Sequence, residues 1–244
     1  MTPLYLPGHL SIGYLLARPL SKRLKVNISL GLIFTASLAP DLDILLDPLG
    51  LVHHTYTHSL LFWFTPLAIL LLTKRKNAIP VVVAVLQHLL VGDILTGSIP
   101  LFFPLNKLEV GIQLGLPSVS DTVIEVTCLT AMILYMWVNG DLKKLVQGLE
   151  KREYMGVALL LSIAILSVAY IKPAYQEVYP TLSKGEGKLD YLFPREVREF
   201  VERFNLEIVT ASHCILFLLM VTCLVSPTKR QSVKHALKTG KPPS

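Results

Sequence analysis

Seven apolar runs, each closed by a proline or a polar stop, limit what this 244-residue chain can become; they cover 4–20, 28–39, 60–72, 79–90, 123–138, 154–171 and 208–225. Only 16% of the residues are charged, against about 25% in an ordinary soluble domain, and the mean hydropathy is +0.55. The pattern predicts an all-α, polytopic membrane helical bundle of about seven helices. It forms one domain over 1–226, followed by a basic cytoplasmic tail over 227–244. The first four runs are shorter than the roughly 20 residues of a full span. They cross a bilayer only if their polar ends are buried in the bundle or lie at the interface. The sixth and seventh runs fit a span best.

The net charge of +6 raises the question of nucleic acid. No basic stripe with interleaved aromatics is present, so nucleic acid is not an expected partner. Membrane orientation accounts for the lysines better. If all seven runs cross, fifteen Lys and Arg fall on one side and seven on the other. That bias predicts a cytoplasmic C-terminus and an N-terminus outside. Cys128, Cys214 and Cys223 each sit in an apolar run without paired spacing, which suits buried small residues rather than a disulfide framework. The first residues lack a basic stretch and an A-x-A site, so no cleavable signal peptide is expected. Between the runs, 96–120 reads as a Gly- and Pro-rich loop, 141–153 as a charged turn and 172–207 as an extracytoplasmic insert. Within the insert, Val197, Phe200, Val201 and Phe204 recur at helical spacing, giving an amphipathic helix that lies on the membrane surface or packs on the bundle.

The chemistry gathers in the first half, 1–120. The stretch 40–59 holds Asp41, Asp43, Asp47, His53, His54 and His58, in a chain with only seven His. Ionisable groups at membrane depth are costly and mark function. Carboxylates and imidazoles together make a ligand set for a divalent cation. His9, His88 and Asp93 come from other segments, and the orientation above puts them at the same outer end as the Asp/His stretch. The candidate metal ligands are therefore His9, Asp41, Asp43, His54, His58, His88 and Asp93, with His53 as the alternative to His54. His54 and His58 are four apart and share a face if that segment turns helically. Of Asp41 and Asp43, one can ligate while the other accepts a hydrogen bond from a ligating His. Simpler roles also exist. His9 at a helix end can cap, Asp41 after Pro40 can cap, and Asp47 before Gly50 reads as a turn residue. Thr57 and Ser59 cap or orient, and Thr96 can orient Asp93. His213, with no carboxylate nearby in sequence, and His235 in the tail are left out.

The order of four short motifs carries a family resemblance. H-x-x-x-G at His9 to Gly13, P-D-x-D at Pro40 to Asp43, H-x-x-T-H-S from residue 54 to Ser59, and H-L-L-x-x-D-x-x-T from His88 to Thr96 resemble the YdjM-like family. The segment Gly97-Ser-Ile-Pro-Leu-Phe-Phe-Pro-Leu is similar to the G-x-x-L-L-x-P-F that follows the last Asp in that family. The resemblance covers about Pro7 to Leu116. It implies an inner-membrane, metal-dependent hydrolase, of a type in part under LexA control, distantly similar to zinc-dependent bacterial phospholipase C, a helical protein with His/Asp metal ligands. The seven ligand candidates are the matching positions. This chain departs from the pattern twice. Thr55 and Tyr56 stand where the family has a basic residue and Gly. Asp93 follows His88 by five residues rather than four.

The expected function is a membrane-bound metal-dependent hydrolase of a phosphoester or lipid-linked substrate, with membrane lipid as its partner. Zinc is the first choice because His and Asp are mixed, with manganese or magnesium if carboxylates dominate. In that reading His54, His58, His88 and Asp41 hold the metal. Asp43 or Asp93 activates water or bridges a second ion, and His9 ligates or protonates the leaving oxygen. Two alternatives stand beside it: a structural metal site joining four helices, and an ion or proton transporter using the cluster as a relay. The relay reading lacks the related halves common in transporters.

Overall fold

The computed structural model describes residues 6–43, 55–112, 114, 118–146 and 189–225. The sixth run at 154–171, the tail, Asp47, His53 and His54 lie outside the described residues. What is described is mostly helical and contains no strand longer than the isolated bridge between Ile99 and Val110. The helices are α1 Leu6–Arg23, α2 Leu30–Ser37, α3 Leu60–Lys74, α4 Ile79–Gln87, α5 Val119–Val138, α6 Asp141–Val146 and α7 Arg195–Val225. The all-α expectation holds for these residues. Among them, Val119–Val138 is the one helix long and apolar enough to cross a membrane by length and composition, while Ile79–Asp93 and Glu207–Leu219 are apolar but shorter.

Local chemistry sets the helix starts. Ser29 caps α2 by accepting the Leu32 N–H at 3.1 Å, Ser59 caps α3 through Leu61 N–H at 3.1 Å, and Ser118 caps α5 through Asp121 N–H at 3.1 Å. Pro80 stands in the first turn of α4, where its missing N–H costs nothing. The turn 141–153 expected from charge instead opens with α6. Gly140, at φ +70, reverses the chain there, and Asp141 starts the new helix.

Helix α1 is the hub, packed by α2, α4, α5 and α7. Leu6, Leu10, Tyr14 and Ala17 are buried along it, and with Ile33, Ala84, Val85, Met132 and Met136 they form the core. Gly13 explains how three helices meet so closely. A Cβ at that position would lie 2.0 Å from Ser37 Oγ and 2.9 Å from Gln87 Nε2. At the far end of α1, Arg18 crosses to α6 and makes a two-pronged pair with Asp141, Nε to Oδ2 at 2.6 Å and Nη2 to Oδ1 at 2.7 Å. Tyr14 Oη and Lys144 Nζ donate to the same carboxylate at 2.8 and 2.7 Å. Burial works against the charge on Asp141, but these donors outweigh it and bring its pKa down to about 2.

α7 joins the amphipathic segment and the last apolar run into one helix, with a break in helical geometry at Phe204. On the amphipathic part, Val201 is buried while Val197, Phe200 and Phe204 are exposed. One residue of the expected apolar stripe therefore packs on the bundle, and the others face outward.

Candidate metal centre

Four chain segments deliver the site. α1 carries His9 one turn from its start. After α2 the chain makes a tight turn over 40–43, with Asp41 N–H to Leu38 O at 3.1 Å and Leu42 N–H to Ala39 O at 3.3 Å, which presents Asp41 and Asp43. His58 precedes the Ser59 cap of α3. Beyond α4 the helix widens into a π turn over His88–Asp93. An ordinary helical turn aligns residues three or four apart, whereas this wider i→i+5 turn aligns residues five apart. The extra residue between His88 and Asp93 is absorbed in this way, and both side chains face the same site.

The geometry is tight. His9 Nε2 lies 3.3 Å from Asp93 Oδ1. His88 Nε2 lies 3.3 Å from Asp41 Oδ1 and 3.7 Å from Asp93 Oδ2. His58 Nε2 lies 3.5 Å from Asp41 Oδ1 and 3.7 Å from Asp93 Oδ2. The His9 and His88 rings stack at 3.6 Å, 9° from parallel. These five residues and Asp43 are each at most 3% exposed.

The outer contacts orient these groups. His88 Nδ1 is 2.7 Å from the Ser37 carbonyl, which makes Nδ1 the donor and leaves the Nε2 lone pair for the site. His58 Nδ1 is 3.4 Å from Asp43 Oδ2, and Thr57 Oγ1 contacts both Asp43 and that ring. Asp43 therefore stands behind His58, while Asp41 stands on its inner side. Gln87 Nε2 donates to the His9 carbonyl at 3.0 Å and fixes the neighbouring turn of α1.

The donor set fits a cation. His9, Asp41 and His88 offer ligand atoms within 4.8 Å of one another, and so do His58, His88 and Asp93. His88 Nε2 and Asp93 Oδ2 are buried without completing a hydrogen bond. Leaving such groups unsatisfied costs about 1–3 kcal/mol each, and ligation satisfies them. Burial disfavours the charged forms, but the His88 and His58 rings hold Asp41 well below the usual carboxylate range. Burial likewise opposes charge on His58, yet Asp41 and Asp43, with Asp93, push its pKa up to about 10.

Of the seven candidates, His9, Asp41, Asp43, His58, His88 and Asp93 are brought together, and His54 lies outside the described residues. Sequence reasoning missed Gln87. It is the polar residue beside His88 in the fourth run, and that position was the available signal. It also missed a second buried polar group around the start of α5. There Asp190 accepts Ser120 N–H at 2.8 Å, and Asn205 donates to Thr122 Oγ1 at 2.8 Å. The S-x-x-D pattern from Ser118 to Asp121 marked the helix start, but nothing local marked its partners.

The site's composition, helical setting and motif order can be compared with known proteins. The family model described as YdjM inner membrane protein matches residues 4–175, which includes all seven ligand candidates. No curated protein and no solved structure matches. The chain belongs to the YdjM inner membrane protein family.

Proposed function

We propose that this member of the YdjM inner membrane protein family is a metal-dependent hydrolase, cleaving a phosphoester or lipid-linked substrate with a divalent cation held by its His/Asp cluster. The observation that carries the reading is the convergence of His9, Asp41, His58, His88 and Asp93, from four segments, with ligand atoms in two groups no more than 4.8 Å across. Zinc suits the mixed nitrogen and oxygen donors best, and manganese or magnesium suits a carboxylate-dominated subset. When bound, the cation supplies a Lewis acid for a phosphoryl or carbonyl oxygen and activates water near neutral pH.

The chain's own residues divide the remaining work. Asp41, His58 and His88 would hold the cation, with the His58 and His88 Nε2 atoms 3.5 and 3.3 Å from Asp41 Oδ1. Asp43 with Thr57, and the Ser37 carbonyl, fix the ring orientations of His58 and His88. Asp93 lies within reach of His9, His58 and His88, so its carboxylate would help hold a second cation or take a proton. His9 Nε2, 3.3 Å from Asp93, is placed to pass that proton to a leaving oxygen. The Asp43 role differs from the general-base role expected from sequence because its carboxylate faces Nδ1 of His58. The cluster is expected at the extracytoplasmic end of the bundle, on the lysine count alone.

Complete burial of the ligands favours a second reading, in which the cation is structural and the shell closed. Cleavage of a panel of phosphomonoesters, phosphodiesters and phospholipids by purified protein separates the two. The hydrolase reading predicts turnover that a chelator abolishes and zinc or manganese restores. It also predicts that Asp93→Asn loses roughly 10²- to 10⁴-fold, the usual range for general acid–base catalysis. Stoichiometric metal with no turnover on any substrate would leave the structural reading.

A further inference from the structure

The loop over 97–112 emerges directly from the site and is held by it. Gly97 N–H bonds to the Asp93 carbonyl at 2.9 Å, and Ile99 and Val110 pair across the base at 2.9 and 3.1 Å. The two arms approach so closely that a Cβ on Gly111 would lie 1.9 Å from the Gly97 carbonyl oxygen. The loop then clamps onto the segment around His58. Leu60 N–H reaches the Leu101 carbonyl at 2.9 Å, Ser59 Oγ reaches the Phe103 carbonyl at 2.6 Å, and the Tyr56 and Phe103 rings meet edge to face at 4.7 Å. Its base, Ile99 and Leu101, is buried against Leu89.

The tip behaves in the opposite way. Phe102, Leu105 and Leu108 are 48%, 83% and 67% exposed. Large apolar side chains exposed together in one short loop mark a surface that something covers. The neighbouring helix shows the same inversion, since α3 is apolar except at Thr65, Thr73 and Lys74 yet buries only Leu67, with Phe64 and Leu72 facing outward. At 1.5 Å per residue α3 is about 22 Å long, short of the roughly 30 Å hydrocarbon layer. The loop meets α3 at its N-terminal end, where Leu61 and Phe62 are also exposed.

We propose that the tip of the 97–112 loop is a bilayer-docking element that seats in the lipid interface beside the His/Asp cluster and extends the apolar face of α3. Lys107, exposed at the tip next to Asn106, complements anionic headgroups while Leu105 and Leu108 enter the acyl boundary. The membrane placement rests on the family and not on the metal. On the hydrolase reading, the loop brings the layer of lipid headgroups next to the site, which makes the substrate class an amphiphilic phosphoester.

The test places an environment-sensitive fluorophore on Leu105→Cys in a chain whose three native Cys are replaced by Ala. The protein is reconstituted in phosphatidylethanolamine–phosphatidylglycerol vesicles. The expected result is blue-shifted emission quenched by brominated acyl chains, while the same label on Lys76→Cys, at the far end of α3, quenches with aqueous iodide. Water-like emission at position 105, with iodide quenching, overturns the proposal. So does shielding that vanishes when protein is diluted within the lipid, because a second copy is then the occupant. Should the Cys-free chain misfold, hydroxyl-radical footprinting of the unaltered protein in the same vesicles decides the point. Phe102 and Leu105 are expected to be protected, and oxidation at the rate of the unfolded chain overturns the proposal. Neither readout depends on metal or turnover, so failure here is distinct from failure of the hydrolase reading.

Discussion

His88 faces two ways: Nδ1 toward the Ser37 carbonyl, Nε2 toward Asp41 and Asp93. His58 is held likewise, with Asp43 behind it and Asp41 in front. These placements separate two kinds of carboxylate. Asp41→Asn is predicted to abolish stoichiometric metal, whereas Asp43→Asn weakens affinity about 10- to 100-fold by freeing the His58 ring; metal titration of both variants checks the contrast, and equal losses would contradict it. The His58 pKa of about 10 adds a proton count. A ligating ring must be neutral, so cation binding near neutral pH is predicted to release about one proton. Calorimetry in buffers of different ionisation enthalpy measures it, and a buffer-independent heat would contradict the prediction. The sign for folding runs the other way. Without a cation, the His58 pairing stabilises fully below the unfolded value of 6.5 and is lost as pH rises through about 10. At this scale much was legible: titratable residues stand out inside apolar runs, and Asp41 and Asp43 were already divided into a ligand and an orienting partner. The sequence reading put Asp41 on the metal and Asp43 among the water-activating groups; that Asp43 stands behind His58 was not legible, because it depends on where His58 arrives from a distant segment.

The elements position those residues through a few close contacts. Gly13, in the H-x-x-x-G motif, lets α1 meet Ser37 of α2 and Gln87 of α4. Gly13→Ala is predicted to cost about 1–3 kcal/mol by overpacking and to lower metal affinity, since His9 and His88 shift with their helices. Thermal unfolding and metal titration of that variant check both effects. The Arg18–Asp141 pair locks the other end of α1 to α6. Arg18→Met leaves the buried Asp141 carboxylate to Tyr14 and Lys144 alone and is predicted to cost about 3 kcal/mol, the low end for a broken buried pair, with much of the loss recovered when Asp141→Leu is added; a double variant no more stable than the single one would contradict this. The Asp141 contribution is present above the unfolded value of 3.8 and is lost as pH falls through about 2. The sequence placed Arg18 inside a run and Asp141 in a turn, and no local pattern joins residues 123 apart. The π turn was equally hidden. A five-residue spacing looked like a departure until the widened backbone put His88 and Asp93 on one side.

At the level of the whole molecule, the apolar runs among the described residues are helical and the polar stops fall near their ends, while the sixth run lies outside those residues. α3 shows why burial patterns mislead in such a chain: its apolar residues face outward, the reverse of a soluble helix. Seven crossings remain the expectation from sequence, because helix length and composition single out Val119–Val138 among the described residues. The central claim is that helices from across the first half converge on one cation site. The direct measurement is metal content of purified, detergent-solubilised protein, wild type beside His58→Ala and Asp41→Ala, with helicity and monodispersity confirming that each stays folded. Stoichiometric zinc or manganese in the wild type, lost in both variants, is the predicted result. No metal above background in the wild type, even after reconstitution with each cation, would contradict the account and leave the buried His/Asp cluster to a proton or ion relay.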